Sequence, residues 1–206
     1  MATAVPGAQS DLGRHVISDG KVPIPSLLRA DDNLVVIEFA AFLRPEAGEL
    51  HLRKTLSKEL DDLSINAPLI ALVSVTGSRS FLTRGDTDIN TLVSVKVDQM
   101  IKTSELPFHK LGTTFSFLEG GGELNIGHAK VRIKGYAPFP TGGRYVMWFV
   151  RSSDTQPIVA IDWMSVAKGR LVGSNPPTWR DVDMGKTRLF GLPVDWFISE
   201  LRSRQK

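Results

Sequence analysis

The chain has 206 residues, is 42% hydrophobic and 23% charged, and carries a formal net charge of +3 with no cysteine. That length holds one decorated domain, or at most two small ones, with enough apolar side chains for a real core. The missing cysteines exclude disulfides, thiol nucleophiles and thiolate metal sites, and so weak a positive charge argues against nucleic acid unless it is concentrated on one face.

Residues 1–30 are rich in Ala, Gly, Ser and Pro without a sustained period, which predicts a flexible or loosely docked arm. The start, Met1-Ala2-Thr3-Ala4-Val5-Pro6-Gly7, has neither a basic n-region nor an apolar h-region, so no signal peptide is visible. A cytoplasmic chain and an exported one whose leader is not shown both remain open. The longest apolar run, 34–43, is interrupted by Glu38 and falls short of the roughly 18 residues that cross a bilayer. It reads two ways: Val35, Val36 and Ile37 favour a strand, while Asp31 and Asp32 could cap a buried helix. Leu52, Leu56, Leu60 and Leu63 recur at i, i+4, i+8 and i+11, which predicts an amphipathic helix over 49–63. Residues 31–66 are therefore expected as a helical extension.

From Pro68 the period changes to that of strands. Residues 69–75 form a β-branched apolar run, and in 92–98 Val93, Val95 and Val97 face one way. The polar stretch 83–88 between these runs predicts a long hairpin. Phe115 and Phe117 share a face, and Gly120-Gly121-Gly122 then breaks the chain. Lys130-Val131-Arg132-Ile133-Lys134 alternates bases with aliphatics, as a half-buried strand does. Residues 144–150 are apolar on both faces and are expected at the centre of the sheet. Residues 158–163 and 171–172 predict a closing hairpin. The chain ends in a helix that begins at Pro193, with Val194, Phe197, Ile198 and Leu201 as its apolar face. Some six or seven short strands with little helix between them argue for a small antiparallel β-barrel or sandwich over 67–206.

Several stretches of this region resemble a bacterial domain of largely uncharacterised, often exported proteins. They are Val73-Ser74-Val75-Thr76-Gly77, Val97-Asp98-Gln99-Met100-Ile101-Lys102, the triple glycine, Pro138-Phe139-Pro140-Thr141-Gly142-Gly143-Arg144-Tyr145 and the terminal helix. The same order is similar to the OB-type barrel of netrin modules and of tissue inhibitors of metalloproteinases. The resemblance implies a mainly β (α+β), OB-like barrel with a short C-terminal helix. Inhibitors of that group rely on an N-terminal cysteine and disulfides, which this chain lacks, so protease inhibition is not carried over.

The local motifs carry little chemistry. Met184-Gly185-Lys186-Thr187 ends like a phosphate-binding loop, but position 180 is Arg where that loop needs glycine. Asp86, Asp88 and Asn90 begin like a calcium loop, yet Thr91 and Val97 replace its glycine and its last carboxylate. Arg84-Gly85-Asp86 is an adhesion tripeptide that a glycine turn explains equally well. His15, His51, His109 and His128 form no close pair, and Ser78 and Ser80 make no nucleophile elbow. Lys130, Arg132 and Lys134 form a basic stripe that, with Phe115, Phe117 and Tyr145 on neighbouring strands, could hold phosphates and stack bases; a solvated face and a core explain the same residues. Tyr136, Trp148, Trp163, Trp179 and Trp196 could line a sugar or peptide groove, or fill the core. No cofactor or metal is expected.

Three functions follow from this reading. The first is a non-enzymatic β-barrel binding or interaction module for an unknown protein or extracellular ligand. The second is a single-stranded nucleic-acid or oligosaccharide binder that uses one barrel face. The third is an enzyme without a recognisable motif.

Overall fold

The computed structural model describes residues 13–39, 60–61, 63–64, 67–103, 113–136, 138–151, 156–173 and 189–205. The protein is mainly β, with a helix at its C-terminal end; residues 60, 61, 63 and 64 are helical as well. In chain order the strands are β1 (Arg14–Ser18), β2 (Leu34–Phe39), β3 (Leu69–Leu82), β4 (Ile89–Lys102), β5 (Thr114–Gly120), β6 (Glu123–Ile126), β7 (Ala129–Ile133), β8 (Arg144–Val150), β9 (Val159–Ala167) and β10 (Arg170–Val172); α1 is Val194–Ser203. They form a four-stranded sheet, β1-β2-β7-β6, and a six-stranded sheet, β10-β9-β5-β4-β3-β8, in which β8 also pairs with β9.

The expected hairpin is β3–β4. It closes at Leu82 opposite Ile89, and Thr83 N donates to Asp88 O across the turn (2.9 Å). Three register shifts interrupt this ladder, the last between Val75 and Gly77; such bulges bend and twist a strand. The bend lets one side of the hairpin serve two cores. Its near half sends Val73, Val75, Val93, Val95 and Val97 into a cluster with Phe115, Phe117, Met147 and Phe149. Its far half sends Ile89 into a second cluster with Val35, Ile37, Val131 and Ile133 of the four-stranded sheet.

Strand β8 is central, as its two apolar faces predict: β3 lies on one side of it and β9 on the other. Tyr145, Met147 and Phe149 enter the first cluster. Val146 and Trp148 point the other way, into a third cluster with Phe197, Ile198 and Leu201 of α1. The predicted apolar face of the terminal helix is buried there. Trp148 Nε1 donates to Leu63 O (2.6 Å), which satisfies the one polar atom of a buried indole. Leu60 and Leu63, the last two positions of the predicted amphipathic stripe, pack into this third cluster; Leu52 and Leu56 lie outside the described residues. Ahead of β8, Phe139 is 2% exposed and meets Phe117, Tyr145 and Trp163 edge-on, so the Pro-Phe-Pro bend serves to seat a core aromatic.

Residues 14–39 differ from the expected arm and helical extension. They carry β1, a 3-10 turn (Ile24–Leu27) and β2, and the ambiguous run from Leu34 is a strand as far as Phe39. The reason is non-local. β2 pairs in parallel with β7, Leu34 opposite Lys130, and β1 pairs in parallel with β2. Arg14 fastens this segment: its Nε and Nη2 donate to Asp32 Oδ1 (2.7 Å) and Oδ2 (2.6 Å), and Nη2 also donates to Leu27 O (2.6 Å). A bidentate pair of this kind is among the stronger charge-assisted contacts.

That clasp has a pH signature. The Arg14 guanidinium, aided by the Arg29 amide, pulls the Asp32 carboxyl down to about 2. A carboxyl lowered by folding stabilises the fold fully above its unfolded value of about 3.9. The contribution is then lost as the pH falls toward about 2. A carboxyl ¹³C titration of Asp32 should therefore have its midpoint well below 4. Asp32→Asn should speed amide exchange in β1 at neutral pH. A midpoint at the free-carboxyl value would refute the clasp.

Candidate functional site

The sequence singled out Lys130, Arg132, Lys134, Phe115 and Tyr145, and the structure does not bring them together. Phe115 and Tyr145 point into the first core, 8% and 7% exposed, and burial pushes the Tyr145 phenol up from its usual range. Lys130 and Arg132 project from β7 in the other sheet. Both are ion-paired to Glu123, Lys130 Nζ at 2.5 Å from Oε1 and Arg132 Nε at 2.6 Å from Oε2. Lys134 Nζ meets Glu38 Oε2 at 2.7 Å. Burial alone would raise the Glu123 carboxyl, but the two cations outweigh it and hold it below its usual range. The stripe is thus a half-buried strand with its charges answered across neighbouring strands.

The remaining motifs are also placed. Arg84, Gly85 and Asp86 form the β3–β4 turn, with Gly85 and Asp86 at positive φ (93° and 57°), and Asp86 O accepts from Ile24 N (2.6 Å). Asp88 Oδ1 accepts from Ile89 N (2.7 Å), and burial raises its carboxyl. Among the described residues no three His, Asp or Glu side chains gather as a metal-ligand group. The 184–187 motif, His51, His109 and Trp179 lie outside the described residues. No described helix is long and apolar enough to cross a membrane.

What the fold does assemble is an outer face on β3, β4, β5 and β9. Residues directly opposite one another on paired strands present their side chains on the same side. Arg79 lies opposite Leu92, Leu92 opposite Leu118, and Leu118 opposite Val159, so one row crosses four strands. Phe81 and Ile161 continue its apolar part, each two residues along its own strand and therefore on the same side. Phe81, Leu92, Val159 and Ile161 are 38%, 43%, 37% and 41% exposed. Scattered exposed aliphatics need no explanation, whereas a contiguous stripe does.

Beyond this row the face turns polar. Ser94 and Ser116 are opposite each other with their hydroxyls 2.8 Å apart. Next come Lys96 and Thr114, again opposite. Asp98 closes the face, held by Ser74 Oγ (2.6 Å) and Arg144 Nε (3.3 Å). Arg79 and Lys96 border the stripe on its β3 and β4 strands, and neither has an ion-pair partner among the described residues. No carboxylate occupies an outward position on these strands between Lys96 and the stripe's far end. The sequence does contain the signal for this face. Val93, Val95 and Val97 fix which side of β4 is buried, so Leu92 must be on the other, where an aliphatic is out of place.

No family model matches the chain, and no curated protein matches it.

Proposed function

We propose that the protein is a non-enzymatic binding module built on an OB-like β-barrel, and that the outer face of β3-β4-β5-β9 docks another protein. The barrel reading is supported by the order of pairing. β9 pairs with β8 on one side, while on the other Leu118 lies opposite Val159, with Leu118 N donating to Ile158 O (2.8 Å). The order β3-β4-β5-β9-β8 then returns to β3, with one residue pair joining β5 to β9; such a return supports the reading of a five-stranded barrel, a fold that binds ligands on one face.

The docking reading rests on one observation, the stripe of exposed Phe81, Leu92, Val159 and Ile161 joined by half-buried Leu118. Its make-up favours protein over nucleic acid or sugar. Bases and sugar rings stack on flat aromatic faces. Here four of the five side chains are aliphatic, while Phe115 and Tyr145 are buried in the core. Aliphatic rows on a sheet suit the apolar side chains of a partner polypeptide.

The test is to pan a phage-displayed library of random 12-residue peptides on the protein and on its Leu92→Asp variant, with a (dT)20 titration at 20 mM NaCl alongside. Leu92 is exposed, so the variant should melt like the parent. Peptides enriched on the parent and lost on the variant support the face. Tight (dT)20 binding that Leu92→Asp abolishes would convert it into a nucleic-acid site.

A further inference from the structure

We infer that the partner segment is acidic as well as aliphatic: a stretch of apolar side chains with carboxylates at the end that lies over β3 and β4. The inference rests on the docking face just described and adds the chemistry of what fills it. Three features of that face carry it.

The first is the placement of charge. Arg79 extends the row at the β3 end, directly opposite Leu92. Lys96 stands on β4 two outward positions from Leu92, beyond Ser94. Both cations therefore border the stripe on its β3–β4 half, away from Val159. The second is that these cations are unanswered. On β7 the protein supplies Glu123 for Lys130 and Arg132 and Glu38 for Lys134, and on the docking face itself Arg144 is answered by Asp98. Arg79 and Lys96 have no such carboxylate among the described residues. Charges left open at the rim of an apolar patch set partner choice and encounter rate through complementarity. The third is the hydroxyl pair Ser94–Ser116 between stripe and Lys96, which offers neutral hydrogen bonds to a carboxylate or a main-chain amide arriving there.

A basic segment would meet two uncompensated like charges on this face. A purely apolar one would leave both cations at the margin without a counter-charge. An acidic-aliphatic segment answers the stripe and both cations at once.

The composition of the selected peptides and two charge reversals read this out. Peptides from the panning should be enriched in Asp and Glu beside Leu, Ile and Val. Their affinity should fall about 10-fold for Lys96→Glu or Arg79→Glu, and several-fold between 50 and 300 mM NaCl, because rim charges act through screened attraction. Peptides that Leu92→Asp releases but that are neutral or basic, and that Lys96→Glu leaves unchanged, would keep the face and overturn its acidic partner. Absence of any peptide that distinguishes the parent from Leu92→Asp would overturn the docking face itself, and the partner with it. Melting curves of the three variants should match the parent, since Arg79, Leu92 and Lys96 are all exposed.

Discussion

Phe149→Ala is expected to lower the unfolding free energy by about 3–5 kcal/mol, a large fraction of what a domain of this size possesses. Phe149 is fully buried, and its ring meets Phe115 and Phe117 edge-on with centroids 5.1 and 5.4 Å away. Truncation removes those contacts and leaves a void that surrounding strands, each tied to neighbours on both sides, cannot close. The paired control is Phe81→Ala. That ring lies on the outer face and is 38% exposed, so its loss should stay within about 0.5 kcal/mol. Urea unfolding of both variants reads the contrast. Equal, small losses would mean that Phe149 of β8 does not sit in a close-packed first cluster.

The second large effect is expected at Gly122. A Cβ built there would lie 2.6 Å from Ile89 Cγ2 and 2.8 Å from both Ser80 Oγ and Thr91 Oγ1. None of these can retreat freely. Ile89 is fully buried, Ser80 and Thr91 hydroxyls are 2.9 Å apart, and Thr91 Oγ1 donates to Gly121 O (2.9 Å). The Tyr136 phenol, raised chiefly by burial, adjoins the same hydroxyls. Gly122→Ala should therefore cost about 1–3 kcal/mol through overpacking. Gly120→Ala, two residues away with nothing within 4 Å of its new methyl, should be close to neutral. Thermal melts of the pair separate steric crowding from a general need for glycine, and a neutral Gly122→Ala would sink the argument.

Much of this architecture could be read from residue order, and the parts that could not share a cause. Val93, Val95 and Val97, the bases and aliphatics of β7, the two apolar faces of β8 and the heptad-like spacing of α1 are local patterns set by period, and the structure buries the predicted sides. β1 was not legible. Arg14-His15-Val16-Ile17-Ser18 alternates only weakly, and its strand exists because β2 is held by β7 from a distant part of the chain. Parallel pairing between remote segments leaves no short-range trace. Phe115 and Tyr145 had a signal that was outweighed. Phe115 shares its face with Phe117, and Tyr145 shares its face with Met147 and Phe149, which is how core residues are spaced. The outer apolar face was missed for the converse reason. Leu92 alone is marked by the alternation of β4; Val159 and Ile161 look like ordinary strand aliphatics until register brings them to its face.

The parallel run β1-β2-β7 also has a consequence for synthesis. A ribosome releases residues 14–39 long before 129–133, so β2 and its apolar Val35 and Ile37 wait for the strand and side chains that will cover them. During that interval the nascent chain presents an unsatisfied edge. Chaperone occupancy should therefore peak on the emerging N-terminal segment and fall only after β7 has cleared the exit tunnel.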